Sequence, residues 1–215
     1  MSNNKDHNNQ NSKFQRSLKS FSRRQNLREV RESILIITEG KKTEPTYFLG
    51  LRAMLKLLNV KIEILPGAAM DKTIVERAIQ LKGNYDEVWA VFDRETPVTN
   101  KNYFEAIELA LHNNIKLAVS DPCFEYWLLL HFKSTDGSFA NCDNVIRELR
   151  RTFPDYEKNT ALPDEFLKKA KAIADLAKDL HQRQLSASMQ PDKEKFNCPP
   201  STTVYELVYK LYSFK

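Results

Sequence analysis

Glycine is scarce in this chain of 215 residues, which contains only five. No group of them forms the Gly-x-Gly-x-x-Gly fingerprint of dinucleotide-binding folds. The Gly-x-x-x-x-Gly-Lys-Ser/Thr loop of P-loop ATPases is also missing, because no glycine stands at the required distance before Gly40. The sequence therefore excludes the two commonest nucleotide-binding signatures, and we do not expect this chain to hydrolyse ATP.

Long apolar runs and paired cysteines are absent as well. No stretch approaches the roughly 18 consecutive apolar residues of a membrane span, and the polar, basic N-terminus has no apolar signal segment. The three cysteines, Cys123, Cys142 and Cys198, are far apart and odd in number, which matches neither a zinc motif nor a disulfide framework. We therefore expect a cytoplasmic protein with ordinary buried or partly buried thiols.

The net positive charge of the chain comes from an N-terminal tail, residues 1–30, that is rich in Asn, Gln and Ser. Residues 1–31 carry a net charge of +6, and the rest of the chain carries about −1. So little apolar surface predicts disorder for the tail alone. Basic arms with interleaved aromatic residues often contact nucleic-acid phosphates, and a solubilising tail without a partner is the alternative. The candidate nucleic-acid-binding residues are Arg16, Lys19, Arg23, Arg24 and Arg28.

From residue 33, apolar strand patterns alternate with helical patterns, which predicts an α/β fold with a mostly parallel sheet flanked by helices. The predicted strands are 33–38, 61–65, 88–92 and 115–119. The first predicted helix starts at Pro45. Further helices are predicted over 72–81, around 106–112 and over 123–132. We expect this α/β core to occupy about 31–133 of one domain that spans 31–215.

The C-terminal part, about 134–215, shows helical patterns without convincing strands. A long amphipathic helix is predicted over 164–185, and 186–200 is predicted to be a surface loop. Thr203 and Glu206 fit a capping box at the start of the last helix. We therefore expect a helical C-terminal part that follows the α/β core.

Acidic residues follow two of the predicted strands. Glu39 comes directly after the first strand, and Asp93 and Glu95 come after the third. Ligands of open α/β sheets bind beyond the carboxyl ends of the strands, so these acids are candidates to share a divalent cation. Surface loops with hydrated carboxylates are the alternative. Further acids that could complete the ligand shell are Glu44, Asp121 and Glu125.

The loop 39–44, between the first strand and the first helix, combines an acid with two lysines. Glu39 could act as a general acid or base or as a metal ligand, and Lys41 or Lys42 could neutralise charge on a phosphate. A solvated, charge-rich turn is the alternative reading. The loop thus adds three candidates to the possible site.

The segment 123–132 is unusually apolar and aromatic, which is more typical of a core or a partner interface than of a cofactor site. Glu125 and His131 are its exceptions, and a polar group in a buried helix needs a partner or an opening to a site. We take Glu125 as the fourth candidate metal ligand. For His131 a structural role is favoured over a catalytic one.

Four segments together resemble the RloB-like proteins, which carry a Toprim-type domain and are similar to the second component of AbiL phage-defence systems. They are ILIITEGKKTEPTYF at 34–48, VWAVFDR at 88–94, DPCFEYWLLLHF at 121–132 and PSTTVYELV at 200–208. The resemblance covers nearly the whole chain apart from the tail.

The resemblance implies a Toprim-like core, the fold shared by topoisomerases, primases and overcoming-lysogenization-type nucleases, whose phosphodiester chemistry uses Mg²⁺. Glu39 would take the place of the Toprim glutamate, which is proposed as general acid or base. Asp93 and Glu95 would occupy the metal-binding Asp-x-Asp, with the second acid one methylene longer than usual. The resemblance also implies an ATPase partner of the ABC/AAA class, encoded nearby.

The leading hypothesis is therefore a Mg²⁺-dependent nuclease effector, with Mn²⁺ as the alternative metal, that cuts DNA or RNA in an anti-phage response. The alternative is a non-catalytic adaptor with a Toprim fold that binds the ATPase or nucleic acid through the tail and the aromatic segment.

Overall fold

A computed structural model describes residues 32–58, 60–64, 71–94, 101–158, 160–187, 195–196 and 199–215. The predicted tail with its five basic candidates lies outside the described residues, and so does Glu95.

The core is a five-stranded sheet in the order β2-β1-β3-β4-β5. The first four strands are mutually parallel, which confirms the predicted α/β fold and its mostly parallel sheet. Their bounds are Ile34–Thr38 (β1), Val60–Ile64 (β2), Glu87–Asp93 (β3) and Lys116–Asp121 (β4). The fifth strand, β5 at Ser201–Thr202, pairs antiparallel with β4 and was not predicted. Two residues are too few to show a strand periodicity.

The described helices include all those predicted, two of them with a different extent, and one that was not predicted, Cys142–Thr152. They are Thr43–Leu55 (α1), Asp71–Leu81 (α2), Lys101–His112 (α3), Glu125–Leu130 (α4), Cys142–Thr152 (α5), Asp164–Leu167 (α6), Ala170–Ser186 (α7) and Val204–Tyr212 (α8), with a short 3₁₀ helix at Lys82–Asn84. The helix predicted over 123–132 is shorter than expected, and the one predicted over 164–185 is two helices. No helix in the described ranges combines the length and apolar character that a membrane crossing requires.

Both faces of the sheet are covered by helices, so every side chain of β1 is buried. Ile34 and Ile36 pack on one face with α1, α4, α5, α7 and α8. Leu35 and Ile37 pack on the other face with α2 and α3. Each of these aliphatic side chains contributes about 1.5–3 kcal/mol when it is fully buried. The unbroken apolar run at 34–37 is thus explained by a strand that has no solvent face.

A turn at 168–169 separates α6 from α7, next to a tertiary contact of Leu167. Leu167, at the end of α6, packs against Gly50 of α1, where an added Cβ would lie 2.9 Å from the leucine Cδ1. Leu167 and Ala170 are both buried in the cluster on that face of the sheet. Because the periodicity of the sequence does not contain this contact, the prediction of one continuous helix over 164–185 was wrong.

The capping box predicted at the start of α8 is also wrong. The Thr203 side chain makes no capping bond within its helix. Its hydroxyl instead accepts a hydrogen bond from the backbone N–H of Val119 at 2.9 Å, and the Thr203 N–H donates to the Val119 carbonyl at 2.8 Å. The threonine therefore ties the start of α8 to β4, and this sheet contact replaces the local cap.

Candidate metal centre

The carboxyl ends of β1 and β3 bring two of the candidate acids together. The strands pair in parallel with Thr38 opposite Val91, and the Glu39 N–H continues the ladder to the Val91 carbonyl at 3.0 Å. The Glu39 carboxylate then turns toward β3 and accepts a hydrogen bond from the Asp93 N–H, with Oε2 3.2 Å from the nitrogen. The first acid is thereby held by the backbone of the second.

Glu44, in the first turn of α1, folds back over the preceding loop. Its Oε1 accepts a hydrogen bond from the Gly40 N–H at 3.1 Å, and the residue is only 6% exposed. A Cβ on Gly40 would collide with this carboxylate, so the close approach requires glycine at that position. The start of α1 thus adds a buried acid to the partly buried Glu39.

Glu125 is the first residue of α4 and is 3% exposed. The Tyr156 hydroxyl donates a hydrogen bond to its Oε1 at 3.0 Å. The Thr43 hydroxyl lies 3.5 Å from the same oxygen and donates to the Lys158 carbonyl at 2.8 Å. The segment after α5 therefore orients the carboxylate of Glu125, which belongs to α4.

These four acids, Glu39, Glu44, Asp93 and Glu125, form what we call the acidic cluster. Burial raises the pKa of Asp93 well above its usual value, and the charges of Glu44, Glu125 and Glu39 raise it further. The Phe124 N–H opposes this rise by donating to the Asp93 carboxylate. Burial also raises the pKa of Glu44, with a smaller contribution from Glu125.

Mutual repulsion of this kind disfavours full ionisation unless a cation joins the acids. Carboxylate oxygens are the ligands that hard divalent cations such as Mg²⁺ and Mn²⁺ prefer. The donor chemistry of the acidic cluster therefore fits the predicted metal. Glu95, the other predicted ligand, lies outside the described residues.

Asp121 has a different environment from the acidic cluster. Its carboxylate pairs with Arg94 at 2.6 Å, and both side chains are about 5% exposed or less. Burial still raises the pKa of Asp121, because it outweighs the lowering by the guanidinium. The structure therefore places this second-tier candidate in an internal ion pair.

Three lysines lie on segments next to the acidic cluster. Lys41 and Lys42 are exposed in the turn before α1. Lys158 was not among the sequence candidates, and its charge lowers the pKa of Glu44. Tyr156 and Lys158 belong to a segment after α5 that contains no recognisable motif, so only the tertiary structure reveals that they approach the acids.

The structure joins Cys123 and Cys142 as a disulfide, so the expectation of unpaired thiols was wrong for these two residues. They are 19 residues apart in sequence, and their Cα atoms are 5.5 Å apart. Cys123 precedes α4 and Cys142 begins α5, so their proximity depends on how these helices pack. The two sulfurs and a carboxylate oxygen of Glu125 lie within 4.8 Å of one another.

His131 is buried and satisfied on both ring nitrogens. Nδ1 lies 3.1 Å from the Trp127 carbonyl, and Nε2 lies 3.5 Å from the Tyr47 hydroxyl. These contacts assign the proton to Nδ1, with Tyr47 donating to Nε2. Burial lowers the pKa of His131 to about 4, so the ring is neutral at neutral pH. This environment agrees with the favoured structural role.

The family model described as RloB-like protein matches residues 34–211. The chain belongs to the RloB-like protein family. All four residues of the acidic cluster lie within the matched range. No curated protein and no solved structure matches the chain.

Proposed function

We propose that this RloB-like protein is a metal-dependent nuclease that uses Mg²⁺, or Mn²⁺ in its place, to hydrolyse phosphodiester bonds of DNA or RNA. The observation that supports the proposal best is the convergence of the acidic cluster on Asp93 at the carboxyl edge of the sheet. This edge is where open α/β sheets bind their ligands. The same arrangement supports a Toprim-type core, as the resemblance implies.

Each acid has a role that follows from its contacts. We assign Asp93 and Glu125 as metal ligands, because the charges of the neighbouring acids meet at Asp93 and Tyr156 fixes the orientation of the buried Glu125. Glu39 is held beside Asp93 by the hydrogen bond that its carboxylate accepts from the Asp93 N–H, and in this proposal it acts as the general acid or base. Glu44 supplies further negative charge beside these residues.

When bound, the cation would neutralise charge on the scissile phosphate and lower the pKa of its bound water. Lys41 and Lys42 are exposed beside the acids and are suited to hold a phosphate of the nucleic-acid backbone. We propose that the basic residues of the tail, Arg16, Lys19, Arg23, Arg24 and Arg28, also bind nucleic-acid phosphates.

The biological role that we propose is that of an effector in an anti-phage system. RloB-like proteins are expected to work with an ATPase of the ABC/AAA class encoded nearby. The absence of a P-loop signature from this sequence is compatible with ATP hydrolysis by the partner. The ATPase would then activate or position the nuclease.

The test is a cleavage assay with the purified full chain, alone and with the neighbouring ATPase, on plasmid DNA and total tRNA. Reactions contain Mg²⁺, Mn²⁺ or EDTA, and each is repeated with Asp93→Ala. We expect metal-dependent cleavage that falls to background in this variant. Asp86→Ala is the matched control, because Asp86 is an exposed aspartate directly before β3, at the end of the strand opposite to Asp93. It should cut like the wild type.

Cleavage that survives Asp93→Ala with the same metal dependence would contradict the assignment of the site. Mg²⁺ binding measured by calorimetry separates the remaining outcomes. If the wild type binds Mg²⁺ but cuts neither substrate, with or without the ATPase, the nuclease proposal is wrong. Nucleic-acid binding that persists in EDTA without any product would identify the adaptor instead.

A further inference from the structure

Two sulfurs and one carboxylate meet beside the acidic cluster. The Sγ atoms of Cys123 and Cys142 and an oxygen of Glu125 lie within 4.8 Å of one another. The Glu125 Oε2 is 3.4 Å from the Cys142 sulfur, while Oε1 accepts the Tyr156 hydrogen bond. One oxygen is thus anchored by tyrosine, and the other is turned toward the sulfurs.

The packing of two helices builds this arrangement. Cys123 and Glu125 are buried at the start of α4, and the partly buried Cys142 begins α5. Both helices belong to the cluster that packs on one face of the sheet, so the three donors are held by the core. Because Cys142 is only partly buried, this residue is the side of the site that solvent can reach.

We propose that, when the disulfide is reduced, Cys123, Cys142 and Glu125 bind a thiophilic divalent cation of the Zn²⁺ class. Two thiolates and one carboxylate provide three ligands of a tetrahedral site, with water as the fourth. Tyr156 orients the carboxylate, as partners of metal ligands commonly do. Binding releases the two thiol protons to solvent and changes no oxidation state.

The disulfide and the metal exclude each other. Zn–S bonds of about 2.3 Å place two sulfurs of a tetrahedral site about 3.8 Å apart, well beyond a covalent S–S bond. A dithiol reductant opens the disulfide by thiol–disulfide exchange. The two thiols of the reductant become a disulfide, and Cys123 and Cys142 become thiols. The pair therefore has an oxidised state without metal and a reduced state that binds it.

This site differs in kind from the proposed Mg²⁺ centre, although both use Glu125. Thiolates select soft cations, whereas Mg²⁺ prefers oxygen ligands. The inference itself requires only the three donors and does not depend on nuclease activity.

The test is a Co²⁺ titration of the full chain, reduced with a dithiol, freed of metal and kept without oxygen. A cobalt–thiolate site gives a charge-transfer absorption band in the near ultraviolet, and Zn²⁺ should displace it. We expect one Co²⁺ per chain with this band. Cys123→Ser and Cys142→Ser should each weaken Co²⁺ binding by at least ~100-fold, and Glu125→Gln should weaken it by ~10-fold. For comparison, loss of a residue that only hydrogen-bonds a metal ligand typically costs about 10–100-fold in affinity.

Two variants separate this site from its alternatives. Cys198→Ser is the matched control and should bind Co²⁺ like the wild type. Asp93→Asn should keep the thiolate band even if it loses Mg²⁺-dependent cleavage, so the two proposals fail independently. The inference is wrong if reduced wild type shows no band, or if the band survives Cys142→Ser or disappears in Cys198→Ser.

A second measurement needs no variant and therefore does not depend on the serine proteins folding. Zn²⁺ should slow alkylation of Cys123 and Cys142 in the reduced wild type but leave Cys198 unaffected, as measured by peptide mass spectrometry. Equal alkylation of Cys123 and Cys142 with and without Zn²⁺ would overturn the inference.

Discussion

Asp93 and Arg94 are consecutive residues at the end of β3, and their side chains enter opposite electrostatic environments. Asp93 joins three other acids, and both burial and their charges raise its pKa well above its usual value. Arg94 forms a buried ion pair with Asp121 at 2.6 Å and lies over the ring of Tyr103. The charge of Arg94 is therefore neutralised within the protein by Asp121, whereas Asp93 lies where several negative charges meet.

The difference separates an acid whose charge is balanced within the fold from one that lies among like charges. Asp121 is buried with its own cation, so its charge is balanced within the fold. The acidic cluster carries like charges at close range, which cost stability unless a cation binds. Folding alone does not require such an arrangement, and strongly shifted acids of this kind are typical of active sites.

The largest effect should come from breaking the neutralised ion pair. Arg94→Met leaves the Asp121 carboxylate buried without its cation, and we expect it to lower the free energy of unfolding by about 3–5 kcal/mol. Urea unfolding of both proteins measures the loss. Adding Asp121→Asn to Arg94→Met should recover part of it, because the uncompensated charge is then gone. A loss below ~1 kcal/mol would show that the ion pair contributes little.

A smaller effect is expected within the acidic cluster from Tyr156→Phe. This change removes the hydroxyl that donates to buried Glu125, and hydrogen bonds to charged groups are worth about 1.5–3 kcal/mol. It should also weaken Mg²⁺ binding about tenfold, because the carboxylate loses its orientation. Chemical unfolding and calorimetry measure the two effects. Unchanged values for both would remove Tyr156 from the site.

Neutralising the acidic cluster should have the opposite sign. We expect Asp93→Asn to stabilise the metal-free protein by about 0.5–2 kcal/mol, in the usual range of stabilising substitutions, because like-charge repulsion is relieved. Thermal unfolding in EDTA measures this gain. Millimolar Mg²⁺ should then raise the melting temperature of the wild type but not that of the variant. A destabilised Asp93→Asn protein would contradict the comparison.

The smallest effect is the pH dependence of that gain. Because the pKa of folded Asp93 lies well above 3.8, the folded state keeps its proton to a higher pH than the unfolded chain. The resulting stability is fully present below pH 3.8 and is lost as pH rises through the folded pKa. The advantage of Asp93→Asn in EDTA should therefore grow from acid toward neutral pH. A constant advantage across urea titrations would contradict this sign.

Much of the fold could be predicted from the sequence because strands buried on both faces and amphipathic helices leave periodic local patterns. The four parallel strands were predicted in this way, within one or two residues. The proximity of Glu39 to Asp93 is also accessible to such reasoning, since parallel strands end at the same edge of a sheet. Glu44 and Glu125 could be named as candidates, but their approach to Asp93 depends on helix packing.

Other features left no local signal. β5 has two residues, and the break after Leu167 lies next to a contact of this residue with Gly50. Thr203 and Glu206 match a capping box, yet the Thr203 hydroxyl bonds Val119 on a strand 84 residues away. In each case the feature involves a contact between residues far apart in the sequence.

The sequence by itself determined the four parallel strands and most of the helices, which acids follow the strands, and that the common nucleotide-binding loops are missing. These properties follow from residue order, because periodicity and strand ends are local. Only the tertiary structure decided that Asp121 is neutralised by Arg94 while Asp93 is surrounded by acids, and that Cys123 meets Cys142 beside Glu125. Charge balance and ligand geometry depend on distances between side chains, and those distances are set by packing between elements far apart in the chain.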